Sequence, residues 1–276
     1  MQLQPLNLDA RLDLAAKHHL LGKCGFEYPN LADFSVIKVV QQAEFGNVRI
    51  KGNGRPNYIA FNPQSKLTGD VLVTFARQAS DNLFIVADNV KVRNGKFNFF
   101  ADRGTIYLGS NNRHVNSPEF RIWIDDSLIF FGNNTTSNHL NISSKYSSVV
   151  IGEDCMFATD VWIRNSDEHL IFDLESLDII NPAGEVIIYP HTWICQDALI
   201  LKNAKIGIGS IVGAKSIVNK DVPHFSLVAG NPAKILKNNV SWERNGFKIK
   251  PDTLKRIARY KKFYVIHNDS SVATKP

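Results

Sequence analysis

Ile188, Ile194, Ile200, Ile206, Val212 and Val218 recur at intervals of six residues. The fourth residue after each is small or branched: Thr192, Ala198, Ala204, Ser210, Ser216 and Val222. Six residues carry an α-helix through about 600°, so a helix cannot keep these positions on one face. A strand of period two could, but it has no use for the Gly and Asn that fall between the hits. A hexad that forms one short strand and one turn satisfies both observations. Three such hexads make one coil of a triangular prism, and strands of successive coils stack about 4.8 Å apart as parallel ladders. The branched residue fills the interior and the small one lets the chain bend at the corner. The pattern therefore predicts an all-β solenoid, a parallel β-helix.

The same rhythm appears upstream at Ile151, Phe157 and Ile163, with Cys155 and Val161 at the companion positions. Earlier still, an 18-residue echo in Leu72, Val90 and Leu108, and in Ile106, Ile124 and Ile142, suggests two columns of looser coils. These boundaries divide the chain into an N-terminal cap or extension over 1–70, a β-helix over 71–235 and a basic helical tail over 236–276. Residues 1–25 suggest a capping helix and 26–70 mixed strands and loops. Caps are expected because solenoid ends expose strand edges. The hexads stop after Ile163 and resume at Ile188, so the stretch "RNSDEHLIFDLESLDIINPAGEVI" must leave the prism as a loop over about 164–186. A long loop on a rigid scaffold is a usual carrier of function.

Composition narrows the class. Of 276 residues, 44% are hydrophobic and 21% charged, as in ordinary globular proteins. No run approaches the length of a membrane helix. The N-terminus lacks an apolar signal core, so a cytoplasmic protein is expected. Cys24, Cys155 and Cys195 are few and scattered, like reduced thiols, and unlike a disulfide set or a zinc site. The net charge is +6, and ten Lys/Arg against Glu243 and Asp252 crowd residues 234–262. That run reads as a solvated helix face, as a partner for an anionic cofactor or polymer, or as a peripheral membrane-surface contact. No nucleic-acid motif accompanies it.

Three stretches, "SDEHLIFD", "HTWICQDALILKNAKIGIGSIVGAKSIVNKDVP" and "LVAGNPAKIL", together resemble the hexapeptide-repeat acyltransferases. The Asp-x-His loop and the tail "NPAKILKNNVSWER" look most like the O-acetyltransferases of bacterial capsular and other surface polysaccharides. The resemblance covers roughly 145–245. It implies a left-handed β-helix, since parallel crossovers are otherwise right-handed. It also implies a homotrimer, acetyl-CoA as donor without a metal, and a polysaccharide or oligosaccharide acceptor. The basic tail hints that the acceptor is anionic.

The resemblance assigns roles residue by residue. His169, flanked by Asp167 and Glu168, stands where the family has its general base, which takes the acceptor hydroxyl's proton. Trp193 matches the tryptophan whose indole N–H lies near the thioester. Gln196 and the backbone at Ala214 are expected along the pantetheine arm. Asn219 and Lys220 are expected near the phosphates and adenine, and Lys234 and Lys237 at the 3′-phosphate and pyrophosphate. His191 is the reserve candidate for the base. His18 and His19 fall on the expected cap helix, and His114, His139, His224 and His267 read as structural or solvated.

Two positions depart from the family pattern. Cys195 stands where Gly usually follows Trp-Ile, which raises a two-step mechanism through a thiol nucleophile beside direct transfer. Asn219 replaces a common Thr. Alternatives of other kinds are an acetyltransferase for a small sugar, nucleotide-sugar or amino acid, a zinc-dependent β-helix hydratase, and a non-catalytic β-helix.

Overall fold

The computed structural model describes residues 34–45 and 47–267. The capping helix expected over 1–25, with His18, His19 and Cys24, lies outside the described residues.

Three long sheets form the walls of a prism, one of eight strands and two of nine. Each coil visits them in the same order. In the C-terminal coils Val186–Ile188 lies on the first face, Trp193–Ile194 on the second and Leu199–Ile200 on the third. The next coil repeats this with Lys205–Ile206, Ile211–Val212 and Ile217–Val218, paired parallel to the strands before. Ile188 thus sits on Ile206, Ile194 on Val212 and Ile200 on Val218. All six are inside, and so are the residues four after each, Thr192, Ala198, Ala204, Ser210, Ser216 and Val222.

The corners explain the Asn, Asp and Gly between the hits. Where the first face turns into the second, Asn89, Asn111, Asn134, Asp154, His191 and Gly209 follow one another coil by coil, all with positive φ. Asx residues tolerate this left-handed conformation better than most, and glycine does so without strain.

The upstream coils are larger than the echo suggested. On the first face Phe84, Ile106 and Ile129 are ladder partners, so coils there take 22 and 23 residues. Leu72 pairs with Lys96 on the third face, Leu108 with Val86 and Phe131 on the first, and Ile142 with Phe120 and Ile163 on the third. The proposed columns therefore do not exist. The wider coils enclose more volume, and aromatic rings fill it. Phe84 and Phe97 lie 4.5 Å apart between centroids, and Phe97 meets Phe120 edge-on at 5.6 Å. Phenylalanine in place of Ile/Val, on longer strands, conceals the hexad. The parallel ladders also reach back to Val48–Lys51, Asn57–Phe61 and Lys66–Thr68, so coiling starts within the stretch set apart as an extension.

At the C-terminal end Lys234–Asn238 turns back antiparallel on Ser226–Ala229. The chain then climbs the second face, and the helix Pro251–His267 lies against the corner of the first and second faces, burying Tyr260 with Ile187, Tyr189 and Ile208. No described helix is long and apolar enough to cross a membrane.

Candidate functional site

The interrupted hexad marks a real departure from the prism. Trp162–Arg164 ends a third-face strand, and the chain regains the first face only at Val186. Between them Leu170, Ile171, Phe172, Leu174, Leu177 and Ile180 are all exposed, and a single bridge, Phe172 to Ile179, folds the loop on itself. His169 sits at its base, exposed, and no group of the described chain bonds to its ring.

The two acidic neighbours of His169 do different work, and neither touches its imidazole. Glu168 pairs with Arg164. Asp167 accepts from Lys202 of the next coil and, at 3.0 Å, from the Asn181 amide. The same amide donates to the His169 carbonyl at 2.9 Å, and Lys202 donates to the Asn181 carbonyl at 2.9 Å. The Lys202 hydrogen bond, with help from Asn181, holds the Asp167 carboxyl below its usual range. Both ends of the loop and the coil beneath it are thus tied beside His169. Gly184 closes the loop exit: a Cβ there would lie 1.6 Å from Asn203 Oδ1. Hexad reasoning misses Asn181, Gly184 and Lys202, although "NPAG" is a turn signal.

Trp193 lies on the second face, paired with Met156 and Ile211. The His169 loop leaves from the corner between the third and first faces. One chain therefore does not bring the two onto a common face. Behind Trp193 the returning C-terminal strap inserts Trp242, whose ring centroid is 6.1 Å from that of Trp193. Trp242 stacks on His191 at 4.6 Å and 9°, and its indole donates to the His191 carbonyl at 2.7 Å. His191 is 1% exposed, with Nδ1 2.9 Å from Asp154 Oδ2 and Nε2 3.2 Å from the Trp242 carbonyl. Held at both nitrogens, it cannot reach a substrate hydroxyl.

Asp154 is the hub of this clamp. Burial alone would raise its pKa, but the His191 hydrogen bond and the charges of His191, Arg256 and Arg244 hold it below the ordinary value. Arg259 pairs with Glu153 in the same way. A cavity of about 610 Å³ lies here, between Arg113, Thr136, Asp154, Arg244 and the helix. Part of the basic run therefore pairs with acids of the solenoid, Arg244 and Arg256 with Asp154 and Arg259 with Glu153.

Gln196 and Ala214 follow the second-face strands of successive coils, and the Lys215 N–H donates to the Gln196 carbonyl at 2.8 Å. Asn219 and Lys220 lie one corner further on, after Ile217–Val218, and Lys234 and Lys237 lie on the antiparallel end strand. All six are exposed. Cys195 is half-buried beside Trp193, and burial raises its thiol pKa. Cys155 is fully buried, pushed up to about 12 by burial, and its thiol donates to the Tyr189 carbonyl at 3.3 Å. Among the described residues no group of three or more His, Cys, Asp or Glu is placed to hold a metal ion.

The hexad ladders and prism define a parallel β-helix of the hexapeptide-repeat kind, left-handed as in its structural neighbours. No family profile matches the chain. The crystal structure of the polySia-specific acetyltransferase NeuO superposes on 86% of this chain and all of its own, with a TM-score of 0.71 and 27% identity. A polysialic acid O-acetyltransferase of Escherichia coli O1:K1 is 39% identical over 119 residues, 43% of this chain and 39% of that protein. One of Neisseria meningitidis is 28% identical over 60% of this chain and 77% of its own length. The chain thus spans less than two thirds of the Escherichia coli relative.

Proposed function

We propose that this protein is an O-acetyltransferase that moves acetyl from acetyl-CoA to a sugar hydroxyl of a bacterial capsular or other surface polysaccharide. The observation that carries the reading is the exposed His169. Its ring is unengaged while its backbone is fixed by Asn181, an arrangement suited to a base that must be both free and aimed. The likeness to polysialic acid O-acetyltransferases supports the acceptor class.

In this reaction the acceptor hydroxyl gives its proton to His169 as its oxygen attacks the thioester carbonyl. The Trp193 indole N–H faces the thioester and stabilises the tetrahedral oxyanion. Collapse breaks the carbon–sulfur bond, and His169 returns the proton to the departing thiolate of CoA. No covalent enzyme intermediate is needed.

His169 and Trp193 lie on different sides of one prism, so His169 of one subunit serves Trp193 of the next in a homotrimer. Gln196 and Ala214 flank the pantetheine arm. Asn219 and Lys220 lie near the phosphates and adenine, and Lys234 and Lys237 meet the phosphates. The enzyme works in the cytoplasm, with its basic tail available to an anionic acceptor or a membrane surface.

The test is release of free thiol from acetyl-CoA against a panel of capsular polysaccharides. Release with at least one polymer, abolished in His169→Ala, is expected. Full activity in that variant, or a monomer by light scattering, overturns the reading.

A further inference from the structure

The corner from which the His169 loop leaves also carries exposed aromatic side chains that the proposed chemistry does not use. Phe100 and Trp123 occupy the same position in successive coils, just past the third-face strands. Their N–H groups donate to the carbonyls of Ile122 and Ser144, at 2.8 and 3.0 Å. Their rings stack with centroids 4.1 Å apart and planes 10° from parallel. Trp123 Nε1 donates to Ser143 Oγ at 3.1 Å. The indole is therefore fixed on one face and at its polar edge, yet the side chain remains 39% exposed.

The next coil brings Lys145 and Tyr146 to the same corner, directly after Ser144, whose carbonyl accepts from the Trp123 N–H. Tyr146 is 56% exposed and holds a positive φ at the corner, and Lys145 Nζ lies 5.5 Å from its ring centroid. One coil further the His169 loop begins. The Lys145 N–H donates to Asn165 Oδ1 at 2.7 Å, and Lys145 Nζ lies 3.5 Å from the Glu168 carbonyl. A rigid indole, a phenol and an ammonium group thus line the approach to the catalytic loop.

This combination has a chemical counterpart. One face of a pyranose ring presents aliphatic C–H groups, weakly positive, which pack on the negative face of an aromatic ring, while its hydroxyls bond outward. A pre-stacked indole loses little freedom on binding. The nearby carboxylates do not oppose a sugar. Asp125 and Asp126 are both paired with Arg103, at 3.2 and 2.8 Å, and Glu168 with Arg164. Lys145 can meet a hydroxyl or a sugar carboxylate.

We propose that Trp123, backed by Phe100 and flanked by Tyr146 and Lys145, is a stacking subsite for one pyranose ring of the acceptor glycan, next to the ring acetylated at His169. The proposal rests on the acetyltransferase reading for its direction, but its test does not require turnover.

Isothermal titration without acetyl-CoA, using chitotetraose and a sialic acid tetramer as probes, compares the unaltered full chain with Trp123→Ala, Trp123→Phe and Tyr146→Ala. At least one probe binds the unaltered protein. Trp123→Ala weakens that binding at least about tenfold, and Trp123→Phe keeps it within about threefold. CoA affinity and thermal midpoint, measured in parallel, report whether each variant is folded. Unchanged glycan affinity in a folded Trp123→Ala overturns the subsite, and so does an unaltered protein that binds neither probe. Should Trp123→Ala not fold, unchanged affinity in Tyr146→Ala together with loss in Trp123→Phe overturns it. Failure of the acetyltransferase reading looks different: glycan binds and depends on Trp123, but no polysaccharide releases thiol.

Discussion

The Asn181 side-chain amide donates to the His169 carbonyl at 2.9 Å, across the neck of the loop from its returning side. It ties the candidate base to a residue twelve positions later without touching its imidazole. Asn181→Ala is expected to lower kcat about tenfold, a loss of about 1.4 kcal/mol of aim, with little change in KM for acetyl-CoA. The thermal midpoint stays close to that of the unaltered protein, because the loop lies outside the core. A drop in KM affinity alone, with kcat intact, contradicts a positioning role.

Lys202 and Asp167 add a pH dependence to the same tether. The folded Asp167 carboxyl is held below its ordinary value, chiefly by Lys202. Its contribution is complete above the unfolded carboxylate pKa of about 3.9 and fades as pH falls through the lowered folded value. Protection of the 164–186 amides from hydrogen exchange should therefore be flat through neutral pH and fall only in acid. Lys202→Met should remove that protection at every pH.

Gly184 is the tightest point of the loop. Its missing Cβ leaves room for the Asn203 side chain, which sits on a corner with φ of 65°. Gly184→Ala must push Asn203 or the loop aside, at about 1–3 kcal/mol, and should reduce activity more than Asn181→Ala does. Asn203→Gly removes the obstructing amide and suits the left-handed corner. The double variant should recover most of the loss, giving a coupling of about 1 kcal/mol or more in a double-mutant cycle. Additive losses contradict the contact.

The C-terminal half of the prism is legible because Ile and Val at six-residue spacing meet only one geometric demand, and the Asx and Gly between them supply the left-handed corners. Upstream, Phe84, Phe97, Phe120 and Phe131 fill coils of variable length, so the period dissolves although the ladder continues. The loop could be located by the interruption itself. Its anchors could not, because Asn181 meets Asp167 only when the loop doubles back, and Lys202 only from the following coil. His191 misled for a related reason: its place at a hexad restart suits a functional group equally well, and only the strap returning from Trp242, 51 residues on, shows it to be walled in.

That strap makes its own prediction. His191 is buried between Asp154 and Trp242, so His191→Ala leaves a carboxylate short of a partner and an indole without its stacking ring. Denaturant unfolding should show a loss of about 2–4 kcal/mol. Because the folded Asp154 pKa is lowered, the stabilisation is present above the unfolded carboxylate value and lost as pH falls through the folded one. The unaltered protein should therefore lose stability in acid more steeply than His191→Ala. Parallel pH profiles remove Asp154 as the cause.

Cys195 decides between one-step and two-step transfer. It follows Trp193–Ile194 and lies half-buried beside the tryptophan assigned to the thioester. Burial within its own subunit raises the thiol pKa above the ordinary value, which disfavours the thiolate and makes a poor nucleophile. A competent nucleophilic cysteine needs the opposite environment, one that stabilises thiolate. Its backbone, by contrast, is committed to the ladder, with its N–H donating to the Val212 carbonyl at 2.9 Å. Cys195→Ala should thus keep kcat within about twofold of the unaltered enzyme, and mass spectrometry after mixing with acetyl-CoA alone should find no acetyl adduct on the chain. Loss of turnover in Cys195→Ala together with an acetyl adduct of about 42 daltons on the unaltered protein would establish the two-step route and displace direct transfer by His169.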